Sequence, residues 1–286
     1  MLVNLNYLLK EAQNKKTAVA AFNTPSLEAV RAAISAAEEL SVPVIIQHAQ
    51  VHEEIVNIEI IGKIMLEMAK NSKVDVCVHL DHGTNINLIN KAIDMGFTSV
   101  MFDGSNLPYE ENIICTSQIV QEAHKRGISV EAELGVMSTS NYGEKLIDDS
   151  NFNKDDIYTD PELAFDFVKR TGIDALAASF GTVHGLYLTK PNLDFKRLKN
   201  IYDKTMVPIV MHGGSGVSRE DYHKSIENGV RKINYYTYAA RAAGEAIRKK
   251  IKESNDPIFY HDITLLAMEA MKQDMMYALK IFNNMD

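Results

Sequence analysis

Short apolar runs with strand character alternate along this chain with stretches whose apolar residues recur at helical spacing. The runs cover 18–22, 42–47, 74–80, 99–102, 128–133, 175–179, 207–212 and 232–235. The clearest helical stretches between them cover 27–40, 86–95, 113–125, 161–171 and 222–228. Strands that alternate with helices predict a parallel sheet with helical crossovers.

Eight such units favour a closed (β/α)8 TIM barrel over an open doubly wound sheet, which would normally need fewer strands. We therefore expect an α/β protein with a single barrel domain over residues 1–286. An extra C-terminal helix is predicted over 264–282, where Met268, Met271, Met275 and Met276 form a stripe at helical spacing. Such a stripe is typical of a helix packed on the barrel or on another subunit.

Composition narrows the possible partners and compartments. The 286 residues include 30 basic and 38 acidic side chains, a net charge of -8, with no Lys/Arg block, so nucleic acid is not an expected partner. No apolar stretch reaches the roughly 20 residues that cross a bilayer, and the first residues do not resemble a leader. With only two cysteines, we expect a soluble cytoplasmic protein without membrane contact.

Three histidines stand where an apolar run gives way to glycine, and they carry the functional prediction. His82, His184 and His212 follow the third, sixth and seventh runs. The carboxyl ends of barrel strands meet at one face, so these imidazoles are predicted to converge. Three protein ligands with a fourth position open are typical of catalytic zinc. The alternative is three separate hydrogen-bonded histidines.

Carboxylates flank this predicted centre. Asp81 precedes the first of the three histidines and could act as a general acid or base, or could instead cap a helix or form an ion pair. Glu131 and Glu133 alternate on the fifth run and so share a face, and Asp103 ends the fourth run. We expect these acids, Asp103 and Glu133 above all, to support the ligands or to offer an alternate metal seat, with a structural ion pair as the alternative. His79 is expected to support the site without binding the metal.

A glycine-rich segment, His-Gly-Gly-Ser-Gly at 212–216, follows the seventh run and is expected to open a helix. Backbone N–H groups at such a position can hold an anion, and loops seven and eight are the usual phosphate site of this architecture. Asn234 and Thr237 could add contacts to the same phosphate or could cap the next helix.

With these residues identified, the chain resembles the class II, zinc-dependent ketose-bisphosphate aldolases, which include the fructose-1,6-bisphosphate and tagatose-1,6-bisphosphate aldolases. The resemblance covers about 18–248. It rests on His-Leu-Asp-His-Gly at 79–83, Glu-Ala-Glu-Leu-Gly at 131–135, Gly-Thr-Val-His-Gly at 181–185, His-Gly-Gly-Ser-Gly at 212–216 and Lys-Ile-Asn at 232–234, all in the family's order.

The resemblance implies that His82, His184 and His212 bind one zinc ion and that Asp81 handles the proton of the C4 hydroxyl. It further implies a set of contacts to the dihydroxyacetone phosphate half: Asn23, Gly185, Gly213, Ser215, Asn234 and Thr237. The implied reaction is reversible cleavage of a ketose 1,6-bisphosphate to dihydroxyacetone phosphate and glyceraldehyde 3-phosphate through a metal-stabilised enediolate. A monovalent cation (Na⁺ or K⁺) near the phosphate and a homodimer or homotetramer are further family features.

Three departures from the family pattern bear on the substrate. The lid motif Gly-Gly-x-Glu-Asp is missing, and of Glu144, Asp148 and Asp149 in the polar loop 138–150 we favour Glu144 as the carboxylate that exchanges the C1 proton. Tyr236 replaces a residue that is usually Asp or Ala, and Gln-His-Ala-Gln at 47–50 stands where relatives often carry a serine.

The C4 stereochemistry and the phosphorylation of the aldehyde half therefore stay open. The alternatives are an aldolase of another ketose 1-phosphate with a non-phosphorylated or modified aldehyde, and a noncatalytic barrel subunit that assists an aldolase.

Overall fold

Eight parallel strands close into a barrel in which each strand pairs with its neighbours in sequence and the last pairs with the first. The computed structural model describes residues 1–135, 158–185, 187 and 191–285. The strands are β1 Val19–Asn23, β2 Val44–Ala49, β3 Val76–Gly83, β4 Ser99–Phe102, β5 Ser129–Leu134, β6 Ala175–Ala178, β7 Ile209–Met211 and β8 Val230–Tyr235. The predicted (β/α)8 barrel is confirmed, with strand ends displaced by up to three residues.

Helices surround the barrel. They are α1 Leu5–Lys15, α2 Leu27–Leu40, α3 Ile58–Asn71, α4 Ile86–Met95, α5 Tyr109–His124, α6 Pro161–Thr171, α7 Phe195–Thr205, α8 Arg219–Glu227, α9 Thr237–Glu253 and α10 Tyr260–Phe282, with a short 3-10 helix at Gln50–Glu54. The predictions for α2, α4 and α6 are confirmed at both ends. Helix α10 begins four residues earlier than predicted.

Side chains just before several helices explain where those helices begin. The hydroxyl of Ser26 accepts a hydrogen bond from the Ala29 N–H, and the Asp160 carboxylate accepts from the N–H groups of Glu162 and Leu163. Such caps satisfy backbone donors that have no partner in the first helical turn. Pro161, the first residue of α6, suits the first helical turn because it has no N–H that would lack a partner there.

The lower half of the barrel is filled with apolar side chains, and α1 closes its amino-terminal end. Leu5, Leu8 and Leu9 of α1 are buried against an interior cluster contributed by the strands. That cluster comprises Val19, Ala21, Ile45, Cys77, Met101, Ala175, Ala177 and Val210. The polar residues of the same strands lie nearer the carboxyl ends, so chemistry is confined to the mouth of the barrel.

The C-terminal helix α10 packs against α2 and α9 of its own chain. Met271, Met275 and Met276 are buried there, and Met268 packs partly buried against the same core. The methionine stripe therefore packs against its own chain outside the strands, which is one of the two roles predicted for it. Among the described helices, none is both long enough and apolar enough to span a membrane.

Candidate metal and substrate site

Three imidazole rings meet at the mouth of the barrel. His82 lies in β3, His212 directly follows β7, and His184 lies in the loop after β6. One nitrogen from each lies within 4.8 Å of the others. The ring centroids of His82 and His212 are 4.4 Å apart, and those of His82 and His184 are 5.0 Å apart. The predicted convergence of residues a hundred positions apart is therefore present.

A bulge at the end of β3 brings His82 into the site. The β3–β4 register shifts between Leu80 and Gly83, and His82 adopts a left-handed backbone with φ 48°. A side chain at Gly83 would lie 2.6 Å from the Met101 carbonyl oxygen, so only glycine fits the turn. Successive residues of a regular strand face opposite sides. The bulge therefore allows both Asp81 and His82 to face the mouth.

The hydrogen bonds of His82 and His212 leave both rings with a nitrogen facing the centre. His82 Nδ1 lies 2.9 Å from Asp103 Oδ2, and His212 Nε2 lies 2.8 Å from Glu131 Oε1. Because an ionised carboxylate only accepts, these outer nitrogens carry the protons. The inner nitrogens, His82 Nε2 and His212 Nδ1, are 2.7 Å apart.

Two lone pairs at that separation repel unless a cation or a proton lies between them. Acidic neighbours favour a positive charge at this point: although burial opposes it, Asp81, Asp103 and Glu133 raise the pKa of His82 to about 9. Burial and the neighbouring imidazoles lower the pKa of His184 to about 3, and that of His212 is also lowered. Three convergent imidazoles with carboxylates behind them fit a zinc ion.

A second cluster of possible ligands shares His82. Oxygens of Asp103 and Glu133 and a nitrogen of His82 also lie within 4.8 Å of one another. Burial, with Asp103 nearby, raises the pKa of Glu133 to about 8, and its Oε2 has no hydrogen-bond partner in the described part of the chain. These are the positions predicted for supporting or alternate ligands, and Asp103 has the closer contact with His82.

Asp81 is buried beside the three imidazoles. Its two oxygens accept hydrogen bonds from Asn23 Nδ2 at 2.9 Å and Asn234 Nδ2 at 3.0 Å. Burial opposes its ionisation, but His82, His212 and Lys232 outweigh that cost and hold its pKa below the ordinary value. Asp81 lies on β3 and is not the cap of any helix in the described part of the chain. It is an oriented carboxylate at the centre of the mouth.

The glycine-rich loop after β7 is pinned to its neighbours. The Gly214 N–H donates to the Asn234 carbonyl at 3.1 Å, and Ser215 Oγ accepts from the Tyr236 N–H at 2.9 Å. The expectation that this loop opens a helix directly is wrong, because α8 begins only at Arg219, after its cap Ser218. The loop is a separate turn between β7 and α8.

Other predicted contact residues are less enclosed. Thr237 is the first residue of α9 and is half-buried, and the N-cap of that helix is Tyr236, so the alternative that Asn234 and Thr237 cap the helix is wrong. Gly185 has a left-handed backbone with φ 98°. Glu144, with Asp148 and Asp149, lies outside the described residues.

Two features at the mouth were missed by the sequence reasoning. Lys232 is fully buried and donates to Glu131 Oε2 at 2.8 Å, close to His79. Its signal was a lysine two positions before Asn234 on the same strand, which places both side chains inside the barrel. The second feature is a contact between the His52 and Tyr236 rings, whose centroids are 5.1 Å apart.

Comparison with known proteins assigns this architecture and these motifs to one family. Residues 3–286 match the family described as class II fructose-bisphosphate aldolase. A fructose-bisphosphate aldolase of Geobacillus stearothermophilus is 40% identical over 266 residues, which cover 91% of this chain and 88% of that protein.

Solved structures agree. The crystal structure of the YdjI aldolase from Escherichia coli K12 superposes with a TM-score of 0.86 at 34% identity, covering 99% of this chain and 97% of that one. A putative fructose-1,6-bisphosphate aldolase from Coccidioides immitis gives a TM-score of 0.84 at 28% identity, covering 98% and 96%.

Proposed function

We propose a substrate for this chain, which belongs to the class II fructose-bisphosphate aldolase family and is therefore an aldolase. The proposed substrate is a ketose 1,6-bisphosphate of the fructose or tagatose type. Reversible cleavage would yield dihydroxyacetone phosphate and glyceraldehyde 3-phosphate. The observation that carries this proposal is the convergence of three imidazoles, with nitrogens within 4.8 Å, beside the buried carboxylate of Asp81.

The metal in this proposal is one zinc ion per subunit, held by His82, His184 and His212. Zinc would supply Lewis acidity, which polarises the ketose carbonyl and stabilises the charge that develops as C3–C4 breaks. The hydrogen bonds from His82 to Asp103 and from His212 to Glu131 support this role, because they orient the rings and increase their basicity.

Asp81 is proposed as the group that takes the C4 hydroxyl proton during cleavage and returns it during condensation. Two amide donors, Asn23 and Asn234, fix the carboxylate and favour its ionised form, which is the form a general base needs. For the C1 proton of dihydroxyacetone phosphate we propose Glu144.

The phosphate of the dihydroxyacetone half is proposed to bind at the loops that follow β6, β7 and β8. Gly185, Gly213 and Ser215 would contribute from the loops after β6 and β7, Asn234 from the end of β8 and Thr237 from the first turn of α9. The short contacts between these loops support a preformed anion site. A sodium or potassium ion beside the phosphate is part of the same proposal.

Replacement of one ligand tests the centre. We expect His212→Ala to lose both bound zinc and cleavage of fructose 1,6-bisphosphate, because two imidazoles without the third cannot complete the ligand set. Metal content by mass spectrometry and coupled-enzyme cleavage assays measure the two effects. His261→Ala, on the exposed start of α10, is the matched control and should keep both. Full zinc content in the His212 variant would refute the proposed site.

A second substrate class is favoured by the wall that His52 and Tyr236 form at the mouth. Burial lowers the pKa of His52 and raises that of Tyr236, so both rings are uncharged at neutral pH. Gln47 Oε1 and His52 Nδ1 are buried and have no hydrogen-bond partner among the described residues. Uncharged groups of this kind suit sugar hydroxyls better than a second phosphate dianion.

Cleavage rates across paired ketose 1-phosphates and 1,6-bisphosphates decide between these two substrates. A higher kcat/KM for a bisphosphate would support the first proposal and exclude the second. A higher kcat/KM for the monophosphates would assign an uncharged aldehyde half to this wall, and His52→Ala should then lower the monophosphate rate selectively.

A further inference from the structure

A charged pair lies fully buried inside the barrel, directly below the three imidazoles. Lys232 and Glu131 both have 0% exposure, and His79 and Ser99, equally buried, lie beside them. The interior below this layer is apolar. A protein in which apolar side chains of similar volume replace a buried ion pair is often as stable or more stable, because desolvation of the charges is costly. Core stability alone therefore does not account for the pair.

Hydrogen bonds connect this pair to the predicted metal centre. Lys232 Nζ donates to Glu131 Oε2 at 2.8 Å, and the other oxygen, Oε1, lies 2.8 Å from His212 Nε2. The opposite nitrogen of the same ring, His212 Nδ1, faces His82 Nε2 at 2.7 Å. The two oxygens of one carboxylate thus separate an ammonium group from an imidazole.

We propose that Lys232 and Glu131 are positioning residues that hold His212 in the tautomer whose Nδ1 lone pair faces the centre. An ammonium group can only donate, so it requires an acceptor at Oε2 and keeps the carboxylate ionised. The ionised carboxylate can only accept at Oε1, so His212 must carry its proton on Nε2. This inference rests on the proposed metal centre.

Neighbouring contacts agree with that proton arrangement. Asn234 Nδ2, a donor, lies 3.5 Å from His212 Nδ1, consistent with an acceptor at that nitrogen. On the other side, His79 Nε2 lies 3.5 Å from the Lys232 ammonium, while His79 Nδ1 lies 2.9 Å from Ser99 Oγ. His79 Nε2 also lies 3.6 Å from Glu131 Oε2, so this ring contacts both members of the pair.

Lys232 would determine which way a carboxamide at position 131 is oriented. In Glu131→Gln, the amide oxygen would turn to the Lys232 ammonium, which accepts nothing. The amide NH2 would then donate to His212 Nε2 and move the ring proton to Nδ1, where it blocks the metal. Removing the lysine as well, in Glu131→Gln/Lys232→Met, frees the amide to turn its oxygen to His212 and restores the original tautomer.

Zinc and cobalt affinities of the metal-free full-length protein test this assignment. Chelator competition gives the zinc Kd, and visible absorption of bound Co²⁺ reports the ligand set independently of activity. We expect Glu131→Gln to bind roughly 10- to 100-fold more weakly than the wild type. Glu131→Gln/Lys232→Met should bind more tightly than Glu131→Gln. Glu38→Gln, a remote carboxylate that accepts from Ser72 and the Lys73 N–H, is the control and should bind like the wild type.

A third variant protects the test against misfolding. Glu131→Leu/Lys232→Met has no buried charge and no acceptor for His212, so it should fold but bind weakly compared with Glu131→Gln/Lys232→Met. Equal affinities of these two double variants, or an affinity of folded Glu131→Gln within twofold of the wild type, would overturn the inference. A wild-type protein that binds neither metal would overturn the metal centre itself.

Discussion

At the scale of single residues, two neighbours in sequence point to the same site. Asp81 and His82 would face opposite sides of a regular strand, yet the bulge and the left-handed backbone at His82 turn both toward the mouth. The proposed base is thereby held next to a predicted metal ligand without a long loop. A left-handed non-glycine residue costs energy and is typical of functional sites.

Asp81→Asn should separate metal binding from catalysis. We expect the variant to retain zinc, because its side chain is not among the three predicted ligands, and to lose roughly 10²- to 10⁴-fold in kcat, because an amide cannot take the C4 hydroxyl proton. Steady-state kinetics and metal analysis on the same sample measure both effects.

The matched control is Asp203→Asn on the exposed face of α7, where the carboxylate contacts only Lys199 among the described hydrogen bonds. It should match the wild type. Near-normal cleavage by the Asp81 variant would remove Asp81 from the proposed mechanism.

At the scale of elements, the loops after β6, β7 and β8 interlock. Gly213 has φ 63°, and a side chain there would overlap the Val183 carbonyl oxygen. The Tyr187 hydroxyl accepts from the Val183 N–H at 3.0 Å and donates to the Gly213 carbonyl at 2.9 Å, which joins the same two loops. The proposed phosphate site is therefore built from backbone held at close approach.

Gly213→Ala should damage that site. The positive φ and the close approach each oppose a Cβ, so we expect a loss of more than about 1 kcal/mol in stability and a higher KM for the phosphorylated substrate. Urea unfolding and steady-state kinetics measure the two effects.

Gly244→Ala provides the opposite case. Gly244 lies within α9, and a Cβ added there would meet no described atom within 4 Å, so alanine should stabilise the protein by about 0.5–1 kcal/mol with unchanged kinetics. If both variants gave the same kinetics and the same shift in stability, the close approach at Gly213 would have no functional role.

At the scale of the whole molecule, stability and chemistry occupy opposite ends of the barrel. The amino-terminal end is closed by the leucines of α1 over an apolar interior, and the carboxyl-terminal mouth holds buried polar and charged groups. Burial of apolar side chains stabilises the folded protein, whereas burial of charged groups at the mouth lowers its stability. Substitutions at the two ends should therefore have different consequences.

Leu9→Ala tests this division. Leu9 is fully buried beneath the barrel, so its truncation should cost about 2–5 kcal/mol through lost burial and the cavity left behind. Zinc affinity and kcat at 25 °C should stay close to the wild type, because α1 lies at the opposite end of the barrel from the mouth. Urea denaturation and metal titration provide the measurements, and an unchanged stability with weakened zinc binding would contradict the division.

Periodicity in the chain was enough to predict the eight strands, the order of strand and helix, and the full bounds of α2, α4 and α6. It failed for helices with a narrow apolar stripe, such as α7, which buries only Leu198 and Ile201. It also placed the start of α8 three residues too late, at position 222, because the first turn, Arg-Glu-Asp at 219–221, is polar.

Local patterns of apolar residues and glycine sufficed to predict the barrel and the three histidines that follow its apolar runs. Three other features arise only in the folded barrel: the bulge that turns His82 inward, the contact of His52 with Tyr236, and the ion pair of Lys232 with Glu131 across 101 positions. The physical reason is that periodicity reflects the environment of one segment, whereas these contacts exist only after β8 closes on β1 and distant strands share one interior.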